Sequence, residues 1–556
     1  MKKIGSPNII IVGGVAGGAS AAAKARRVNE NAEIIVFEKG PYVSFANCGL
    51  PYYVGKTIDD REDLLVQTPE RFWKRFRVRV HVRHEVLSIH RSGKVLHVRN
   101  LETGKDFTQP YDSLILAPGA GALIPPLPGI HSPNIFTVKT VPDSDAIRTY
   151  IEEHTPKTAI VIGAGFIGLE TAEALQARGL TVTVVELLPQ VLPPFDKDMA
   201  ALVASHLEEQ GIHLVLGDGI RAFHGDQGVA KEVELQSGRR LPFDLAILSI
   251  GVRPELKLAR EADLVIGQSG GIAVNERQQT SDPDIYAAGD AVETIHLVTG
   301  EKTRIPLAGP ANKQGRVAGT NAAGGNLQFP RALGTAIVET LGITAAKTGL
   351  SMREAQAAGF DAFESVIHPF DHADYYPGGE PLHLKLIVES TSARLLGGQV
   401  VGEQGVDKRI DILAMALMAR MTVYDLENLD LAYAPQFSSA KGPVIMAGFV
   451  AANTVRGEVS TITCDDLNQK LACGETLQLL DVRTPHEYEG RHLPGARLVP
   501  IDELRDHLSE LDPDQETVVY CKSGLRGYLA SRILLQHGFK HVLNLTGGIL
   551  SCQEKP

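Results

Sequence analysis

Two cysteines stand where a thiol could do chemistry. Cys48 lies in Val43-Ser44-Phe45-Ala46-Asn47-Cys48-Gly49-Leu50-Pro51-Tyr52-Tyr53, a loop bounded by glycine and proline with no second cysteine beside it. A single thiol cannot cycle through an internal disulfide, so its oxidised form must involve a partner sulfur or oxygen. Cys521 follows the strand-like Thr517-Val518-Val519-Tyr520 and opens Cys521-Lys522-Ser523-Gly524-Leu525-Arg526, ahead of a helical stretch from Tyr528 to His537. At such a strand-to-helix turn the backbone N–H groups, the helix dipole, Lys522 and Arg526 all favour thiolate. Cys464, Cys473 and Cys552 fall outside any motif and are expected to carry no chemistry. Five cysteines without a CxxC pair predict neither a disulfide framework nor a zinc site, and no metal is expected.

Glycine turns must position these thiols. Residues 8–12 (NIIIV) run into Gly13-Gly14-Val15-Ala16-Gly17-Gly18 and an alanine-rich stretch to Arg27, and residues 33–37 (EIIVF) end at Glu38. The pattern recurs: residues 158–162 (TAIVI) lead into Gly163-Ala164-Gly165-Phe166-Ile167-Gly168, a helical stretch to Arg178, and residues 181–185 ending at Glu186. In such strand-turn-helix units the first glycine permits the tight turn, the second lets backbone N–H groups approach a pyrophosphate, and the third lets helix pack on strand. An acidic residue about 20 positions on accepts hydrogen bonds from a ribose. The second copy matches GxGxxG in full, while the first has Val15 at the middle glycine. Two copies, each with its carboxylate, predict two dinucleotides per chain. Residues 112–119 (DSLILAPG) and 244–254 (DLAILSIGVRP) repeat a strand-then-glycine signal, and residues 281–290 (SDPDIYAAGD) place Asp290 after a short strand. Beyond residue 329 no fingerprint recurs. Residues 444–459 read as helix followed by a polar linker.

The whole chain is consistent with a multidomain enzyme. It has 556 residues, 44% apolar and 22% charged, with 55 glycines, a globular composition without an apolar run long enough to span a bilayer. Lys and Arg total 55 against 66 Asp and Glu, a net charge of −11 without a basic block, so neither nucleic acid nor membrane is an expected partner. The N-terminal apolar run is too short for a signal-peptide core, which predicts a cytoplasmic protein.

Two dinucleotide units followed by a GD motif resemble the flavoprotein disulfide reductases of the pyridine nucleotide-disulfide oxidoreductase family, over about the first 440 residues. The resemblance implies FAD held by Gly13, Gly14, Gly18, Glu38 and Asp290, the last on the ribityl chain, and a nicotinamide nucleotide held by Gly163, Gly165, Gly168 and Glu186. Residues 187–189 (LLP) offer no Arg for a 2′-phosphate and Glu186 would repel one, so NADH is expected over NADPH. The segment after residue 329 then becomes the interface domain of a homodimer.

Most of that family carries CxxxxC where this chain has Cys48 alone. SFANCGLPYY and GGVAGGASAAAKARR closely resemble the coenzyme A disulfide reductases, a single-cysteine branch whose oxidised cysteine holds coenzyme A as a mixed disulfide. Carried over by motif, Arg27, Ser44, Asn47, Gln67 and Arg71 would contact coenzyme A, the arginines suiting its phosphates. Two tyrosines from the other subunit would lie over the sulfur. The best matches are Tyr375 in DYYPGGE and Tyr433 in LAYAPQFSSAK, with Tyr376 an alternative to Tyr375. Their phenols could hydrogen-bond a thiolate or protonate a leaving one. Single-cysteine NADH oxidases and peroxidases are similar too, but those peroxidases place a His where this chain has Ala16, which argues against peroxide chemistry.

At the C-terminus, Asp481-Val482-Arg483, His492-Leu493-Pro494-Gly495-Ala496 and Cys521-x-x-Gly524-x-Arg526 closely resemble a single rhodanese domain. That implies a persulfide on Cys521 cradled by loop amides, with Arg526 beside it. His486 and His492 read as supports of the fold. The expected architecture is α/β: two Rossmann-like domains (FAD at 1–120 and 253–328, NAD at 121–252), an α+β dimerisation domain (329–445), a linker (446–460) and an α/β rhodanese domain (461–556). The expected function is NADH- and FAD-dependent reduction of coenzyme A persulfide, polysulfide or coenzyme A disulfide. Alternatives are a water-forming NADH oxidase with an appended sulfurtransferase, and a sulfur carrier or redox sensor serving a partner protein.

Overall fold

The computed structural model describes residues 7–552; the first residues of the N-terminal stretch weighed as a signal segment lie outside the described residues. Residues 7–189 and 211–334 form one compact unit, and residues 190–210 and 335–552 another.

The first unit holds two parallel sheets. Strand Asn8–Val12 lies centrally in the first, paired in parallel with Glu33–Phe37 on one side and Ser113–Leu116 on the other. Its five residues are all buried, as β-branched runs covered on both faces by helices must be. Strand Ile285–Ala287, far along the chain, pairs with Ser113–Leu116. The chain therefore returns to the first sheet after passing through the second. In that second sheet Thr158–Ile162 lies between Thr181–Glu186 and Leu245–Leu248. The glycine turns feed helices Ala16–Val28 and Phe166–Ala177 at the carboxyl ends of the two central strands, where open α/β sheets place their ligands.

The second unit combines an antiparallel and a parallel sheet. In the antiparallel sheet the strand order is Ala336–Thr340, Ile343–Gly349, Leu395–Gly402, Leu382–Glu389 and Ala362–Ile367. Lys385, almost fully buried on this sheet, is neutralised by Asp198 at 2.7 Å and Glu364 at 2.8 Å. The parallel sheet runs Ser460–Ile462, Val542–Leu545, Thr517–Tyr520, Gln478–Asp481 and Arg497–Leu498.

Two expectations need correction. The stretch 446–460 is a linker only at its end: as read for 444–459 it begins as helix, Pro443–Val455, which buries Ala447, Gly448, Ala451 and Ala452 and leaves 456–459 before strand Ser460–Ile462. A Cβ on Gly448 would lie 2.7 Å from the Glu427 backbone nitrogen, so the helix packs too closely for a loose tether. Cys464 and Cys552, expected to carry no chemistry, form a disulfide across 88 residues. Strands Ser460–Ile462 and Val542–Leu545 pair in parallel, so the segments that follow them emerge at the same end of the sheet and bring the two sulfurs together. No helix among the described residues is long and apolar enough to cross a membrane.

Candidate functional site

The first glycine turn is shaped by steric need. A Cβ on Gly13, whose φ is 92°, would lie 2.1 Å from the Ala117 carbonyl oxygen, and one on Gly18 would lie 1.8 Å from that of Gly13. Glu38 accepts hydrogen bonds from the Gly14 and Gly40 N–H groups, each at 2.7 Å. Burial nevertheless pushes its carboxyl up. A cavity of about 670 Å³ opens here, lined by Gly13, Glu38, Asn47, Lys139 and Asp290 among others. Burial also raises the Asp290 carboxyl, with Lys139 opposing. A cavity lined by this glycine turn, by apolar side chains and by the carboxylates Glu38 and Asp290 fits a flavin dinucleotide.

The second turn repeats the design. Glu186 accepts from the Ala164 N–H at 2.8 Å and the Leu188 N–H at 2.9 Å. A Cβ on Gly168 would meet the Gly163 oxygen at 1.9 Å, whereas one on Gly165 would meet nothing within 4 Å. Glycine at 165 thus leaves open space on the helix N-terminus, as a pyrophosphate needs. Leu187 and Leu188, which follow Glu186, are exposed.

Cys48 sits in the short turn Asn47–Gly49, ahead of helix Leu50–Val54, and is exposed. Its thiol is pushed up, first by desolvation within the loop and then by Glu170 and Asp290, with Lys139 opposing. Glu170 and Lys139 were missed in the sequence reading. Glu170 follows the GxGxxG turn on helix Phe166–Ala177, accepts a hydrogen bond from the Tyr52 hydroxyl at 3.1 Å, and has its own carboxyl raised by burial. Its position two residues after Gly168 was the available signal.

The residues expected to meet coenzyme A fall into two groups. Ser44 takes a left-handed conformation, φ 48°, and its N–H donates to the Gly14 carbonyl at 2.8 Å. The Gln67 N–H donates to the Ser44 carbonyl at 3.2 Å, leaving the buried Gln67 Oε1 without a partner among the described residues. Asn47 adjoins them. Arg27 and Arg71 are exposed on helices Ala16–Val28 and Pro69–Phe76.

In the second unit the Tyr375 and Tyr433 hydroxyls lie 2.8 Å apart, on side chains that are both exposed. This hydrogen bond raises the Tyr375 phenol. Tyr376 instead packs edge-on against His372.

Cys521 is 1% exposed. Its Sγ accepts the Gly524 N–H at 3.1 Å, with Gly524 at φ 104° turning the chain into helix Leu525–Gln536. Arg526 is held by Glu487 through two hydrogen bonds of 2.7 Å. Glu487 went unread, although Thr484 and Glu487 form a visible capping box. Asp481 and Arg483 make a buried ion pair at 2.6 Å, and the His492 ring stacks on Tyr488. These motif residues support the fold. Among the described residues no cluster could hold a metal ion.

The fold and these sites define a flavin- and nicotinamide-linked oxidoreductase carrying a second sulfur loop. The chain belongs to the pyridine nucleotide-disulphide oxidoreductase family, whose model matches residues 7–315, with the family's dimerisation domain at 337–443 and a rhodanese-like domain at 463–555. It is 36% identical to the coenzyme A disulfide reductase of Staphylococcus haemolyticus over 444 residues, covering 80% of this chain and 99% of that one. Among solved structures it resembles reduced Bacillus anthracis CoADR-RHD, with a TM-score of 0.95 and 44% identity over 98% of each chain. It also resembles an NAD-dependent persulfide reductase from A. fulgidus, with a TM-score of 0.91 and 39% identity over 98% of this chain and 99% of that one.

Proposed function

We propose that this protein uses NADH to reduce the sulfur–sulfur bond of coenzyme A persulfide, polysulfide or coenzyme A disulfide. The observation that carries this reading is Cys48, an exposed thiol in a loop that adjoins the dinucleotide cavity through Asn47 and has no cysteine partner. The Cys48 thiolate attacks the coenzyme A sulfur of the persulfide, forms a mixed disulfide with coenzyme A, and releases hydrosulfide; with coenzyme A disulfide the leaving group is coenzyme A thiolate. Bound FAD would supply the two-electron relay from the nicotinamide that restores both thiolates.

Each remaining group has a role in this reading. Ser44, Asn47 and the unpartnered Gln67 carbonyl oxygen receive the pantetheine arm, with Arg27 and Arg71 on the phosphates. Tyr375 and Tyr433, joined by a hydrogen bond on an exposed face, serve the sulfur of the other subunit in a homodimer and share a proton with the departing thiolate. Glu186 and the exposed leucines after it favour NADH over NADPH. Cys521 accepts sulfane sulfur.

Anaerobic NADH consumption tests the proposal, comparing the three sulfur substrates and peroxide on wild type, Cys48→Ser and Cys521→Ser. Cys48→Ser should abolish turnover with all sulfur substrates, and Cys521→Ser should impair polysulfide more than coenzyme A disulfide. Turnover supported only by oxygen or peroxide would refute it.

A further inference from the structure

Residues 546–551 follow strand Val542–Leu545, turning through the 3-10 helix Gly548–Ser551, and they are gripped from two sides. On one side they hold the backbone of the Cys521 loop: the Ile549 N–H donates to the Cys521 carbonyl at 2.9 Å and the Leu550 N–H to the Lys522 carbonyl at 3.2 Å. Gly548, at φ 63°, has no room for a Cβ, which would lie 2.5 Å from the Cys521 oxygen. On the other side stands the edge of the antiparallel sheet. The buried Val366 N–H donates to Thr546 Oγ1 at 3.1 Å. His368 Nε2 lies 3.2 Å from Ser551 Oγ, and a Cβ on Gly547 would come within 2.8 Å of that nitrogen.

His368 is itself held from behind, its Nδ1 2.7 Å from His383 Nδ1. At that separation one nitrogen must carry a proton and the other must accept it. A hydrogen bond to the Gly547 backbone favours the protonated ring, as a carbonyl acceptor does. The Nε2–H tautomer of His368 would satisfy both contacts, with its Nδ1 accepting from His383 Nδ1–H. Burial pushes His368 down to about 3 and His383 down to about 4, so both rings are neutral at pH 7 and neither repels the other.

We infer that His368 is a positioning residue for the sulfur loop, acting on Cys521 through Gly547 and Ser551. It does not touch the sulfur. The carbonyls of Cys521 and Lys522 belong to the peptide planes at the start of the loop whose Gly524 amide donates to Sγ, so displacing residues 546–551 tilts those planes. The antiparallel sheet thereby sets the geometry of a thiol that belongs to the parallel one. This inference rests on the reading that Cys521 takes up sulfane sulfur.

The test uses the FAD-loaded full chain with His368→Ala, His368→Gln and Ser551→Ala. Two rates are read at the Cys521 peptide by mass: persulfide loading from inorganic polysulfide, and alkylation by a small electrophile. NADH turnover with coenzyme A disulfide, which needs only Cys48, serves as control. His368→Ala should change both Cys521 rates by about tenfold, the scale expected for small misplacements at a reacting centre, with coenzyme A disulfide turnover within about twofold of wild type. His368→Gln, which keeps an N–H donor, should recover most of the difference, and Ser551→Ala should fall between. Wild-type Cys521 rates in folded His368→Ala would overturn the inference, as would a Gln variant no better than Ala. If His368→Ala does not fold, the Gln and Ser551→Ala variants decide by the same rates. Failure of wild-type Cys521 to take up sulfur would instead remove the functional reading, while alkylation would still report the positioning.

Discussion

Glu487 closes on Arg526 through two parallel hydrogen bonds of 2.7 Å, while also accepting from the Thr484 N–H at 3.0 Å. The Arg526 guanidinium is thereby neutralised beside Cys521. The pairing pulls the Glu487 carboxyl from 4.5 down to about 2, Arg526 first and Thr484 after it. A carboxyl lowered by folding stabilises fully above its unfolded value and loses that contribution as pH falls. The stability from Glu487 should therefore decline between about pH 4.5 and 2. Glu487→Gln should lower the stability of the C-terminal module at pH 7 by roughly 1 kcal/mol, with a smaller difference from wild type at pH 2.5. Thermal melts at the two pH values measure this.

The raised Cys48 thiol makes its reactivity pH-dependent in the cofactor-free protein. Alkylation of Cys48 should speed up as pH rises, because thiolate is the nucleophile. Glu170 contributes to the raise, so Glu170→Gln should move the alkylation midpoint to lower pH. An unmoved or higher midpoint would count against the assigned cause.

The hydrogen bond between Tyr375 and Tyr433 makes the two phenols a unit. Each Tyr→Phe change should lower kcat with coenzyme A disulfide by about a hundredfold, the low end for proton-transfer groups. The double variant should cost much less than the product of the single effects, since residues that act together are not additive. Steady-state kinetics of the three variants decide this.

At the nicotinamide turn, Glu186→Ser removes the charge that would face a 2′-phosphate. The ratio of kcat/KM for NADPH over NADH should rise by about tenfold or more. Absolute NADH activity should fall as well, because Glu186 also holds the Ala164 and Leu188 N–H groups.

The Cys464–Cys552 disulfide closes a loop of 88 residues. On the chain-entropy account such a closure contributes at most roughly 4.5 kcal/mol. Cys552→Ser should lower the melting temperature of the C-terminal module, and dithiothreitol should shift wild type toward the variant without changing the variant itself. Equal melts of wild type with and without reductant would contradict the prediction.

What could be read in the sequence tracks how local each interaction is. The glycine turns and the carboxylates Glu38 and Glu186 were legible because strand, turn and helix follow one another and the carboxylate answers backbone donors at a short, fixed interval. Glu170 was not, because its significance depends on Tyr52, 118 residues away. Glu487 shows its capping role to Thr484 locally, but its bond to Arg526 spans 39 residues. The disulfide was hidden for the same reason: only the parallel pairing of Ser460–Ile462 with Val542–Leu545 makes neighbours of Cys464 and Cys552. Tyr375 and Tyr433 were picked from a resemblance, and no periodicity would have joined them.

Strand Ala362–Ile367 is the last in its sheet, paired on one side only with Leu382–Glu389. Edge strands with free N–H groups are templates for unwanted pairing between chains. Here the bond from Val366 to Thr546 places part of the C-terminal module over that edge. A chain cut before the module would bare the buried Val366 donor on an edge strand, and its first symptom would be self-association into aggregates rather than a loss of sulfur chemistry.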